Sequence, residues 1–158
     1  MVVKEEVMKK IISKVIFATV VALGLISCEK TDPNLKKIAG EWYLQEENAE
    51  VYIDFNSDGT YALFQNIAVN EGMNAPRYRL YTGTFTYDGT LLTGVYSDNS
   101  KWAYTYQATV SGDNLTMTFT DNGKNYVRTY VRKPIPFTVR HNVTEPLKSA
   151  ADEVVPFL

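Results

Sequence analysis

From Gly40 onward the sequence predicts an all-β domain, an eight-stranded antiparallel barrel whose strands run alternately up and down. Three observations carry that expectation. Apolar residues alternate with polar ones at period two, as in Leu115, Met117 and Phe119 against Thr116, Thr118 and Thr120. Turn-forming pairs break the runs at short intervals, namely Asp58-Gly59, Asp88-Gly89 and Asn122-Gly123, and such pairs tolerate the positive φ angles that hairpins require. Links this short force antiparallel neighbours, and an open meander of these strands leaves two exposed edges that closure removes. A two-sheet sandwich is the alternative that the same pattern builds.

Ahead of that domain, Lys9, Lys10 and Lys14 lead into a twelve-residue apolar run over 15–26. A bilayer core of about 30 Å needs roughly 20 residues to cross it. A basic start, a short apolar middle and small residues before a cut site are instead the parts of an export signal, expected here over 1–27. Leu25, Ile26, Ser27 and Cys28 resemble the lipobox of bacterial lipoproteins. The resemblance implies that the Cys28 thiol takes a diacylglyceryl group and that Cys28 becomes the acylated first residue. It further implies an outer-membrane, lipid-anchored location with the domain on the periplasmic or surface-exposed face. At about 0.8 kcal/mol per buried methylene, two or more chains hold a protein firmly to a membrane.

Cys28 is the single cysteine of the 158 residues, so no disulfide is available and the exported domain must be held by its core. Residues 1–27 carry four Lys and two Glu, so the formal charge of −2 becomes −4 beyond them. A mildly acidic domain has no net attraction to nucleic acid, and no nucleic-acid partner is expected. Residues 28–37 read as a polar tether, although Leu35 and Ile38 fit a short helical turn.

Strands are then expected over 41–45, 51–56, 60–65, 80–87, 90–96, 102–110, 115–120 and 124–133, closing one domain over 38–133. The longer connection 67–76 holds Asn70, Gly72, Asn74 and Pro76. Inward faces are expected at Val51, Ile53 and Phe55, at Trp102, Tyr104, Tyr106 and Ala108, and at Leu115, Met117 and Phe119. Pro134 and Pro136 stop the last strand. In the tail, 134–158, Leu147, Ala151, Val154 and Val155 share a helical face, with Thr144 as cap and Pro146 near the start.

Gly40, Glu41, Trp42 at the head of the first strand resembles the Gly-x-Trp opening of lipocalins, and the chain is similar to the small lipocalin-like lipoproteins of Bacteroidetes. That resemblance implies that Trp42 plugs one end of the barrel under an arginine of the last strand, Arg128 or Arg132. A guanidinium over an indole contributes about 0.5 to 2 kcal/mol.

Catalytic motifs are missing from this pattern. His141 is the sole histidine and sits in the tail, which leaves a His-based zinc site, a Ser-His-Asp set and a His general base within the barrel unsupported. Glu41, Glu50 and Asp54 are the carboxylates available for acid-base work, and acidic residues beside strands are ordinarily solvated or paired with Lys and Arg. Asp54, Asn56, Asp58 and Gly59 resemble half of a calcium loop, but Gln65 stands where its closing carboxylate belongs. Arg77 and Arg79 are assigned to the barrel exterior and rim. No enzyme, metal or cofactor is expected.

Eleven Tyr, seven Phe and two Trp remain to be explained. Tyrosine joins an apolar ring to a polar tip, which suits a wet cavity or a contact surface. The expected function is a binding module for a small, partly apolar ligand, lined by Phe64, Tyr78, Tyr104 and Tyr106. The competing expectation is a filled barrel that serves as an accessory subunit for an envelope protein partner.

Overall fold

The computed structural model describes residues 32–47, 49–67, 76–144 and 157–158. The expected signal with Cys28, most of the 67–76 connection and the helix expected over 147–155 lie outside the described residues. Strands follow in chain order as β1 (Gly40–Glu46), β2 (Ala49–Phe55), β3 (Thr60–Asn66), β4 (Tyr78–Tyr87), β5 (Leu91–Tyr96), β6 (Tyr106–Ser111), β7 (Asn114–Asp121) and β8 (Lys124–Arg132). Each pairs antiparallel with its successor, and β8 returns to β1 through Trp42 opposite Arg132 and Tyr43 opposite Val131. This is a closed eight-stranded up-and-down barrel. The expected turns form: Asn122 and Gly123 take φ of 49° and 77°, which carries β7 into β8 in a tight hairpin.

Alternation delivers the core. Trp42 and Leu44, Val51, Ile53 and Phe55, Tyr61 and Leu63, and Leu115, Met117 and Phe119 all turn inward and are buried. One strand is shorter than its pattern suggests. Trp102 does not extend β6, because its ring swings over Gly94 of β5, where an added Cβ would lie 2.5 Å from the indole. The absent side chain leaves room for a packed indole, whose Nε1–H donates to the Tyr61 hydroxyl at 2.8 Å.

At the base, part of the segment read as tether folds into helix α1 (Pro33–Ile38). Pro33 suits the first helical position, and the Asp32 carboxylate accepts from the Asn34 N–H at 2.8 Å. Helix α1 brings Ile38 beneath the barrel, where it is fully buried beside Trp42. The Trp42 indole N–H donates to the Ile38 carbonyl at 2.8 Å, and the Arg132 guanidinium lies 4.2 Å over the ring. Of the two arginines suggested by the sequence, Arg132 covers Trp42. Arg128 instead lies over Phe119 and Phe157. Gly40 explains itself here: it adopts φ of +134°, and a Cβ would fall 2.1 Å from the Arg132 guanidinium.

Beyond β8 the chain forms helix α2 (Phe137–His141) and strand β9 (Val143–Thr144), which runs parallel to the start of β4. Ile135 and Val139 pack on the outer face of the wall against Tyr52, Phe64 and Tyr78, making a second apolar cluster outside the barrel. This cover buries Tyr52, which alternation alone would leave in water. Substituting Trp42→Ala should lower unfolding free energy by about 3 to 5 kcal/mol, measured by chemical denaturation; a variant as stable as the parent would mean that the indole closes nothing.

Candidate functional site

The end of the barrel opposite Trp42 is its mouth, framed by the β1–β2 and β7–β8 turns and by the segment between β5 and β6. Pairing is thin on both sides of β6, β7 and β8. The β8–β1 ladder holds two residue pairs, and the β5–β6 ladder holds two, Leu91 with Gln107 and Leu92 with Tyr106. Above those pairs the β8–β1 seam is bridged by Arg128 and Glu46 at 3.8 Å, whereas β5 pairs with the segment that follows it, the Trp102 N–H donating to the Gly94 carbonyl at 3.0 Å and the Tyr96 N–H to the Ser100 carbonyl at 2.8 Å.

Into this region the chain places its own residues Phe157 and Leu158. Leu158 is 1% exposed and belongs to the barrel core, with Phe157 packed against it. The Tyr96 hydroxyl on β5 donates to the Leu158 carbonyl at 2.5 Å, and the Ala103 N–H points at the same oxygen at 3.4 Å. Arg128 on β8 donates to the Phe157 carbonyl at 3.3 Å and lays its guanidinium 3.8 Å over the Phe157 ring. Beside Phe157 a half-open groove of about 410 Å³ runs between Tyr104, Phe119, Asp121 and Arg128. Another, of about 450 Å³, opens along the seam between β5 and the Trp102 segment.

Polar atoms inside the barrel are left over. The hydroxyls of Tyr106 and Tyr130 are buried and meet no hydrogen-bond partner among the described residues, and the same holds for Nε of Arg79. Arg79 was expected on the exterior and rim. Arg79 does lie toward the rim, one pair from the mouth end of the β3–β4 ladder, but not on the exterior: it pairs with Gln65 two places along from Tyr81 opposite Leu63, so it shares their inward face. A buried donor without a partner costs about 1 to 3 kcal/mol. Burial also pushes the phenols of Tyr61, Tyr96, Tyr106 and Tyr130 well above the usual range, with Arg128 pulling Tyr106 and Tyr130 partway back.

The residues named for a pocket divide between two places. Tyr106 is fully buried inside the barrel, and Tyr104 stands at the mouth, 4.4 Å ring to ring from Phe119. Phe64 and Tyr78 lie on the opposite side of the wall, under Ile135 and Val139, because both fall on the outward parity of their strands. Tyr96, Arg128 and Arg79 were not singled out for the pocket. Their inward parity was readable in principle, but the occupant that gives Tyr96 and Arg128 a role was not.

The carboxylates named as acid-base candidates are engaged elsewhere. Glu41 and Asp54 face each other across β1 and β2, and Arg140 of α2 bridges them at 2.5 and 3.0 Å while Glu41 also accepts from the Ile135 N–H. The trio fastens α2 to the wall. Glu50 accepts from Asn66 at 2.7 Å and from the Tyr78 hydroxyl at 3.1 Å on the outside. Next to it burial, with the nearby Glu50 charge, pushes Tyr52 up to about 12. Asp58 closes its own hairpin, accepting from the N–H and hydroxyl of Thr60. His141 stacks on Phe137 at 3.6 Å at the exposed end of α2. Among the described residues, no three His, Cys, Asp or Glu side chains converge on a metal position.

No family model, curated protein or solved structure matches this chain.

Because the folded state holds the phenolic protons more tightly than the unfolded chain, their contribution is complete below about pH 10 and is lost as pH rises beyond it. An alkaline titration followed by near-ultraviolet absorbance should show the buried phenols ionising only together with loss of β-sheet circular dichroism. Smooth ionisation of all eleven tyrosines with the sheet intact would contradict this packing.

Proposed function

We propose that this protein is a lipid-anchored, lipocalin-like module of the bacterial cell envelope that binds a small, partly apolar ligand in the mouth of its barrel, without catalysis. One observation carries the binding reading. A barrel that serves only as a filled scaffold gains nothing by burying donors with no acceptor, yet Tyr106, Tyr130 and Arg79 hold such atoms on or near the inner face. A ligand with an apolar body and one or two oxygen atoms meets both the aromatic walls and those donors. The lipocalin-like assignment is supported by the closed meander and by Gly40, Trp42 and Arg132 acting together at its base. The anchor is supported by the lipobox-like residues that end at Cys28.

A second reading, an accessory subunit of an envelope complex, draws on exposed apolar residues of β8 and α2. Val127 is 63% and Phe137 73% exposed. Native mass spectrometry of the protein purified from its own cells separates the two. A co-purifying small molecule is the expected result; a stoichiometric partner chain in its place would favour the subunit, and a bare chain would remove the main support for a resident ligand. Independently, Cys28→Ala should shift the protein from the membrane to the soluble fraction, and unchanged fractionation would remove the lipid anchor.

A further inference from the structure

We propose that the mouth recognises a short peptide segment with an aromatic residue followed by an aliphatic one, and that Phe157 and Leu158 are its resident intramolecular occupant, displaced when an external segment binds. This rests on the binding-module reading and narrows its ligand class.

The donors read a peptide backbone. Arg128 addresses the Phe157 carbonyl, while the Tyr96 hydroxyl and the Ala103 N–H address the carbonyl of the next residue. Two acceptors one residue apart, each beside its own side chain, are a feature of peptides; an acyl chain carries oxygen only at one end. The side chains are read as well. The Phe157 ring lies under a guanidinium, and Leu158 is enclosed by the aromatic core.

Among the described residues the occupant is held by side chains and single polar contacts rather than by sheet pairing. Neither residue belongs to a strand or a helix, and neither enters a ladder. Among the described residues its hold consists of the three polar contacts above, one ring stack and the burial of Leu158, with no strand pairing. It reaches the two sides of the mouth where the ladders are thinnest, Arg128 on β8 and Tyr96 on β5. The groove of about 410 Å³ beside Phe157 gives an incoming segment room to begin docking before the resident leaves.

The test uses the full chain and a fluorophore-labelled peptide that reproduces residues 154–158, followed by anisotropy. In the variant Phe157→Asp/Leu158→Asp the resident is expelled, and the peptide should bind at least about tenfold more tightly than to the parent, since a resident occupant lowers apparent affinity by the fraction of open sites. Phe157→Ala, a milder change that keeps the fold, should gain about threefold by the same relation. A peptide with Ala in place of Phe and Leu should not bind either variant. Equal affinity of parent and Phe157→Ala, or binding of the Ala peptide as tight as that of the original, would overturn the proposal. A dodecanoate probe separates the two levels of the reading. Uptake of dodecanoate without peptide binding overturns this inference and leaves the binding module standing, whereas uptake of neither overturns both.

Discussion

The burial of Trp42 at the base is the constraint on which the rest of the structure depends. A closed barrel of eight strands needs its end sealed, and the indole does so while tying together separate parts of the chain. Its N–H reaches Ile38 at the end of α1, its face meets Arg132 at the end of β8, and its backbone begins the first ladder with β2. The two seam pairs between β8 and β1 include Trp42 and Arg132 themselves. Closure of the sheet and sealing of its base are therefore one event. Gly40 is required by the same event, because any side chain there would occupy the position of the guanidinium.

With the base sealed and packed, variation is left to the mouth. There the named ladders thin on either side of β6 to β8, and aromatic rings with polar tips add to the backbone contacts that remain. Tyr61 and Trp102 satisfy each other, and Tyr96 is satisfied by the Leu158 carbonyl. Tyr106 and Tyr130 find no such partner among the described residues. The base is thus saturated, while two phenols of the barrel interior are not.

Outside the wall, α2 adds a layer that no alternation rule foretells. Glu41 and Asp54 would face water as a like-charged cross-strand pair, an unfavourable arrangement on a bare sheet. Arg140 resolves it by bridging both carboxylates, and the apolar residues Ile135 and Val139 then cover Tyr52, Phe64 and Tyr78. Carboxylates that read as candidates for chemistry are thus the fastening of a helix.

The eight strands, their antiparallel order, the tight turns at Asp58-Gly59, Asp88-Gly89 and Asn122-Gly123, and the inward faces of β2 and β7 were legible in the order of residues. These depend on contacts between near neighbours, where period-two burial and turn chemistry act locally. Tertiary structure alone decided that Arg132 rather than Arg128 covers Trp42, that Trp102 leaves its strand for the space over Gly94, that Phe64 and Tyr78 lie beneath an outer helix, and that Phe157 and Leu158 enter the mouth. Each of these joins residues far apart in the chain through shape and the need of a buried donor for an acceptor. Alternation assigns a residue to one side of a sheet, but what covers that side depends on where distant segments come to rest.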